Sequence, residues 1–272
     1  IKHALLLALA MCVTSAYSQY YYNYSLTPGN PGNVNTDDGE FPLGGGLDAS
    51  WTEILGISQA TAAWSPDQTI PFAFDFNGSA VTAFKVSSSG VLTFDVAAGT
   101  APAYGSIASL PNAGVPDMSV VIGGLEGSGT NDAIVTNTFC TSGSQQHWIL
   151  FSSYTPTGGT GWSYWSIVLE EGTNNIYIVD QRTNSSIGLT SGVQVDGANG
   201  YQVAGNVDTQ GINAADRTDN YYYEFLPGTR PAEDMAGIDV GLAPYLVSAN
   251  GPFTIDGDMT NYGADQVASF DL

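Results

Sequence analysis

Basic side chains are scarce in this sequence. Five Lys and Arg stand against 26 Asp and Glu in 272 residues, a formal net charge of −21. So acidic a chain is repelled by phosphate backbones and anionic membranes, which excludes nucleic-acid binding. Charge of either sign is also sparse, 11% of residues where about a quarter is usual. The polar surface therefore falls to Ser, Thr, Asn, Gln and Gly, as in exported β proteins with neutral strand faces. Cysteine is nearly absent: Cys12 lies in a leader, so Cys140 stands alone in the mature chain. No internal disulfide can form, although export would permit one, and stability must come from a packed core. Amphipathic helical periodicity is missing, and so is any later apolar run long enough to cross a bilayer, so a soluble mature chain is expected. Disorder is excluded by a hydrophobic content of 43% and an aromatic content of 11%, enough to build a core.

What is present begins with an export signal. Lys2 and His3 open it, Ala4 to Val13 form its apolar run, and Ala16-Tyr17-Ser18 offers small residues to a signal peptidase, so cleavage is expected before Gln19. Met11 is too large for a lipoprotein cleavage box at Cys12. The organisation read from the chain is a signal peptide at 1–18, a β-sandwich domain at 19–227, a proline-rich linker at 228–236 and an incomplete β domain at 237–272. The missing initiator Met and the strand-like ending Phe270-Asp271-Leu272 are read as the two ends of an N-terminal fragment of a longer protein.

Within 19–227 the apolar residues alternate or form short runs between Gly, Asn, Asp and Pro, the pattern of many short strands. From Pro71 to Phe76, Phe72, Phe74 and Phe76 share one face and Ala73 and Asp75 the other. Asn77-Gly78 follows as a tight-hairpin signal. The return strand runs from Val81 to Ser87, Ser88-Ser89-Gly90 turns the chain, and Val91 to Val96 points Leu92 and Phe94 inward. His147–Ser152, Tyr164–Leu169 and Ile176–Val179 are apolar on both faces and belong in the middle of a layered structure; Gly188–Val195 is a further strand. The expectation is an all-β, antiparallel β-sandwich of jelly-roll or Ig-like type. Ile238–Val240, Tyr245–Val247, Phe253–Ile255 and Val267–Leu272 read as the beginning of a second Ig-like sandwich.

Ile70-Pro71-Phe72-Ala73-Phe74-Asp75-Phe76-Asn77-Gly78, with Val86-Ser87-Ser88-Ser89-Gly90-Val91-Leu92-Thr93-Phe94, resembles the N-terminal β-sandwich module of large Bacteroidota surface proteins exported by type IX secretion. Ile167-Val168-Leu169-Glu170-Glu171-Gly172-Thr173-Asn174-Asn175-Ile176 resembles a later hairpin of that module. The stretch from Asp239-Val240-Gly241 through Gly251-Pro252-Phe253-Thr254-Ile255 to Ser269-Phe270-Asp271-Leu272 resembles the start of a CARDB-type, immunoglobulin-like adhesion domain. The resemblance implies an extracellular, cell-surface or outer-membrane-associated module and carries no catalytic residues.

Cys140 and His147, the only mature thiol and imidazole, would make a nucleophile and base; the plainer reading is a buried Cys and a strand-edge His. Two such ligands cannot complete a zinc site. Hard oxygen ligands for calcium stand at Asp37, Asp38 and Glu40, at Asp196, and at Asp256 with Asp258, although none has EF-hand spacing and Asp-Gly pairs are ordinary turn residues. Glu170 and Glu171 are adjacent, point to opposite faces, and so cannot flank one glycosidic bond; they read as turn-flanking surface charges. Gly123 to Gly129 lacks the Lys of a phosphate loop and reads as a flexible loop. Aromatic groups are the strongest binding signal: Trp162 and Tyr164, and Tyr221 with Tyr223, whose flat rings and polar edges suit a sugar or a protein partner. Tyr20, Tyr21, Tyr22 and Tyr24 are expected to pair with Tyr221–Tyr223 as terminal strands, and Trp165 to be core.

These readings lead to a non-catalytic extracellular module of a bacterial surface or secreted protein, serving structural or adhesive display. The alternative is an accessory or carbohydrate-binding module preceding a secreted enzyme. The implied partners are a glycan or surface protein and the downstream domains of the same chain. No cofactor is required, and calcium is the one metal considered.

Overall fold

The structure, a computed structural model, describes residues 21–36, 39–41, 47–184, 188–203, 219–228, 235–241 and 256–261. It forms two compact units, Ile1–Gly228 and Thr229–Leu272. The first holds β1 (Tyr21–Pro28), β2 (Thr52–Leu55), β3 (Gln68–Phe76), β4 (Ser79–Ser87), β5 (Val91–Thr93), β6 (Ser119–Gly123) and β7 (Leu125–Glu126). It continues with β8 (Ala133–Phe139), β9 (Gln146–Pro156), β10 (Ser163–Glu170), β11 (Ile176–Thr183), β12 (Thr190–Gln194), β13 (Gly200–Gln202) and β14 (Tyr221–Pro227). One sheet runs β1-β14-β11-β10-β9-β8-β2, with β7 beside β9; the other runs β13-β12-β6-β5-β4-β3. The two antiparallel sheets form an open β-sandwich, as the alternating pattern requires. Successive strands stay in one sheet over β3–β6 and again over β8–β11, so each sheet contains a four-strand meander.

The period-two pattern decides which side chains enter the space between the sheets. In β3, Phe74 and Phe76 are 2% and 0% exposed while Ala73 and Asp75 face solvent. Their rings lie 5.8 and 4.9 Å from that of Phe94, and burying each contributes about 1.5–3 kcal/mol. Phe72, expected with them, is only half-buried. Asn77 and Gly78 take φ of 50° and 74°, both positive, as a two-residue hairpin needs to match the twist of its strands. The inter-sheet core continues through Val86, Leu92, Ile122, Ile149, Phe151, Trp165, Ile167, Leu169, Ile178 and Phe225.

β9 and β10 are covered on both faces. Inward they carry Ile149, Phe151, Trp165 and Ile167. Outward they carry Trp148, Leu150, Tyr164 and Val168, packed beneath Trp51 with Phe41 and Leu47 from the segment that precedes β2. That explains their unbroken apolar runs: the segment acts as a partial third layer.

Two expectations are corrected. The glycine-rich stretch 123–129 is not a flexible loop. Gly127 N donates to Ser88 O, Gln59 N to Gly127 O, and Thr157 N to Gly124 O. A Cβ on Gly123 would stand 2.8 Å from Ile107 Cγ2, and one on Gly127 2.8 Å from the Tyr154 ring. These glycines are there for close approach. The terminal tyrosine strands do pair, as β1 with β14, but Pro28 lies opposite Tyr221 and Tyr21 opposite Pro227; the tyrosines stand at opposite ends of the ladder, and β1 is a sheet edge.

The second unit contains an antiparallel pair, β15 (Met235–Gly241) and β16 (Asp256–Asn261). The expected strand at Ile238–Val240 falls within β15, which begins inside the stretch expected as linker. Those at Tyr245–Val247, Phe253–Ile255 and Val267–Leu272 lie outside the described residues.

Candidate functional site

The outer face of the larger sheet carries a polar pocket of about 290 Å³, lined by Glu40, Thr130, Asn131, Asp132, Ser153, Trp162, Tyr164 and Arg182. Strand irregularities build it. Ser163 pairs with Tyr154 and Trp165 with Phe151, so Ser152 and Ser153 together oppose Tyr164. On the other side Tyr164 pairs with Arg182 and Trp165 with Asp180, leaving Gln181 as an extra residue. A bulge re-aims side chains that strict alternation would send inward. Ser153, at φ 66°, and Arg182 are thereby turned to the outer face beside Tyr164, while Tyr154 and Trp165 stay in the core.

The pocket is internally organised. Ser153 Oγ donates to Glu40 Oε1 at 3.1 Å, and its oxygen lies 2.9 Å from Tyr164 OH. A serine has one proton; with it directed to Glu40, the tyrosine donates to the serine. Asn131 Nδ2 donates to the same oxygen at 3.3 Å, whereas Asn131 Oδ1 is enclosed with no protein donor. The Arg182 guanidinium lies 5.4 Å from the Trp162 ring centre and 5.2 Å from that of Tyr164, and the two rings meet edge-to-face at 5.3 Å. Cation–π contact and aromatic packing hold all three in place.

Asp132 closes the other side, 3% exposed, with Gly129 N donating to its Oδ2 at 2.7 Å. A Cβ on Gly129 would stand 2.6 Å from Asp132 Oδ1, so only glycine lets the turn wrap the carboxylate. Burial raises the Asp132 carboxyl to about 6, Glu126 adds repulsion, and the Gly129 hydrogen bond opposes both.

Of the aromatic candidates, Trp162 and Tyr164 are brought together here. Tyr223 is 6% exposed in the inter-sheet core and Tyr221 is half-buried beside it on β14; neither lines the pocket. Of the calcium candidates, Glu40 lines it. Asp37 and Asp38 lie outside the described residues, as do the side chains of Asp256 and Asp258, whose backbone belongs to β16. Asp196 is a turn residue: its Oδ1 accepts from Ala198 N and Asn199 N, both at 2.8 Å, and bonding to Asn199 and Ala198 lowers its pKa. Among the described residues no three His, Cys, Asp or Glu gather as a metal site.

The Cys140–His147 reading is reversed in both halves. Cys140 is exposed in the turn after β8, at φ 68°. His147 is buried, its Nδ1 2.8 Å from Thr138 Oγ1 and its ring edge-on to Phe84 at 5.6 Å. Burial lowers its pKa to about 4. Glu170 and Glu171 are also more than surface charges. Glu170 accepts from Gln146, Thr173 and Tyr177, and Glu171 Oε2 from the backbone of Gly143 and Gln145, so the pair ties two turns together.

Sequence reasoning missed Asp132, Asn131 and Arg182. Their signals were faint: Gly129-Thr130-Asn131-Asp132 is turn-like, and the polar doublets Ser152-Ser153 and Gln181-Arg182 interrupt apolar strands.

Compared with known proteins, residues 47–227 match the family model described as NIDO related. No curated protein and no solved structure matches the chain.

Proposed function

Because the chain belongs to the NIDO-related family, a β-rich domain typical of extracellular proteins, we propose that it is a non-catalytic module of an exported bacterial surface protein. Its role in this reading is structural and adhesive, with the leader before Gln19 removed on export. Bacteroidota origin, type IX sorting and a CARDB-like second domain belong to the same proposal and rest on the sequence resemblance alone. The observation that carries a binding role is the pocket: a guanidinium against two rings and two carboxylates in one lining, held by cation–π contact and by hydrogen bonds to Ser153 and Gly129 before any ligand arrives. Preorganised polar groups around aromatic rings suit recognition. Both carboxylates have one oxygen engaged by the fold, Glu40 by Ser153 and Asp132 by Gly129.

The test is attachment. Beads coated with the chain from Gln19 onward are expected to adhere to surfaces bearing extracellular glycoproteins and to detach less readily than beads coated with Trp162→Ala. Absence of attachment would overturn the adhesive role. Turnover of a chromogenic glycoside would overturn the non-catalytic one. The accessory-module reading draws on the same pocket and is favoured if the chain, joined to a secreted hydrolase, raises its activity on insoluble but not soluble substrate.

A further inference from the structure

Resting on the binding role above, we propose that the pocket takes a single neutral sugar residue of hexose size, packed against the Trp162–Tyr164–Arg182 array with its hydroxyls shared among Asp132, Asn131 and Glu40.

Size is the first argument. A pocket of about 290 Å³ stands at the bottom of the range of roughly 300–1,000 Å³ that holds small ligands. It accommodates one ring and its substituents, not an extended chain or a folded peptide segment.

Charge is the second. One guanidinium and two carboxylates line the pocket in a chain of net charge −21. An anionic ligand meets Glu40, Asp132 and the field of the whole molecule. A cationic side chain or amine is attracted by the carboxylates and the overall charge, but it meets the Arg182 guanidinium held against the two rings. A neutral polyol avoids both penalties.

Hydrogen-bond type is the third. The lining mixes carboxylate and amide acceptors with guanidinium donors, and every sugar hydroxyl both donates and accepts. Asn131 lines the pocket and its enclosed Oδ1 has no donor from the protein; a buried acceptor without one is costly, so a rotation of the amide that presents it to a ligand hydroxyl is favoured. Asp132 Oδ1 lies beside the engaged Oδ2 and supplies a charged acceptor, the stronger kind. The Ser153 oxygen, tied to Glu40, Tyr164 and Asn131 at once, fixes the spacing between these groups. Selectivity follows from the arrangement: a sugar lacking one of the matched hydroxyls leaves a buried polar group unpaired and is rejected.

Titration calorimetry on the chain from Gln19 onward, with a panel of free sugars, tests this. The panel holds glucose, galactose, mannose and N-acetylglucosamine as neutral members, glucosamine as a cation and glucuronate as an anion. At least one neutral sugar is expected to bind saturably, with the charged members at least tenfold weaker. Trp162→Ala is expected to weaken that sugar by about tenfold. Asp132→Asn keeps an acceptor for Gly129 N, so it serves as a second variant that retains the fold, and a loss of about threefold or more is expected; melting temperatures check that both variants are folded. Tighter binding of glucosamine or glucuronate than of any neutral sugar would overturn the proposal, and so would equal binding of the neutral sugar by both variants. If the beads adhere but no sugar binds, the sugar assignment fails and the adhesive role stands. If neither occurs, both fail.

Discussion

Replacing His147 by Gln should change how the protein responds to acid more than how stable it is at neutral pH. The imidazole is buried against Phe84, and burial lowers its pKa from 6.5 to about 4. Protonating it in place would put a charge in a buried site where, among the described residues, Nδ1 has Thr138 Oγ1 as its partner at 2.8 Å. The folded state therefore binds fewer protons than the unfolded chain between pH 6.5 and 4, and stability falls as pH drops through that window. At 1.36 kcal/mol per pKa unit the loss is about 3 kcal/mol by pH 4. His147→Gln keeps a partner for Thr138 and removes the titration. Urea denaturation of both proteins at pH 7.5 and pH 4 gives the answer as a difference of differences. The wild type is expected to lose about 3 kcal/mol more than the variant between the two pH values. Equal losses would show that the ring is hydrated or mobile in the folded protein, and the packing argument would fall.

Asp132 has the opposite sign: its folded-state carboxyl is raised from 3.8 to about 6, so it destabilises the protein as pH rises through that window. Solvent screening reduces the cost to roughly 1–2 kcal/mol, and Asp132→Asn should be more stable by that amount at pH 8 and indistinguishable at pH 3 in the same urea assay. Gly90→Ala should lower stability by about 3–5 kcal/mol, since Gly90 has φ 83° and a Cβ there would stand 2.0 Å from Ile122 O; thermal melting detects this, and an unchanged melt refutes the turn geometry. Lys85→Met should cost about 2–3 kcal/mol by removing the donor to Val96 O and Ala98 O and the cation over Trp64. A chelator should leave the melting temperature unchanged, and a drop restored by calcium would assign a cation to the acidic residues.

The layered fold was legible because its evidence is local and periodic. Phe72, Phe74 and Phe76 alternate, Asn77-Gly78 can close only a tight turn, and the runs in β9 and β10 are apolar on both faces because something must cover each. That the cover on one side is the irregular segment carrying Phe41, Leu47 and Trp51 has no period and leaves no such trace. The pocket was half legible for the same reason. Trp162 and Tyr164 stood out as large rings near a strand start, but whether a given ring faces the core or solvent depends on parity, and parity is reset wherever a bulge inserts a residue. Tyr223 kept its parity and went inward. Ser153 and Arg182 lost theirs, at bulges opposite Tyr164 on both neighbouring strands, and came outward. The Cys140–His147 reversal has a related cause: His147 shares the parity of Ile149 and Phe151 and follows them inward despite its polarity, whereas Cys140, past the end of β8, is carried into solvent by a left-handed turn. Composition says which residues prefer the interior, but register decides which reach it. In a sandwich the places where register breaks are therefore where polar side chains can gather on an otherwise apolar face. If the pocket is a binding site, deleting Gln181 to restore strict alternation should abolish binding and return Arg182 toward the core, where an unpaired guanidinium would lower stability by several kcal/mol. A deletion variant as stable as the parent and still able to bind would show that the bulge does not create the site.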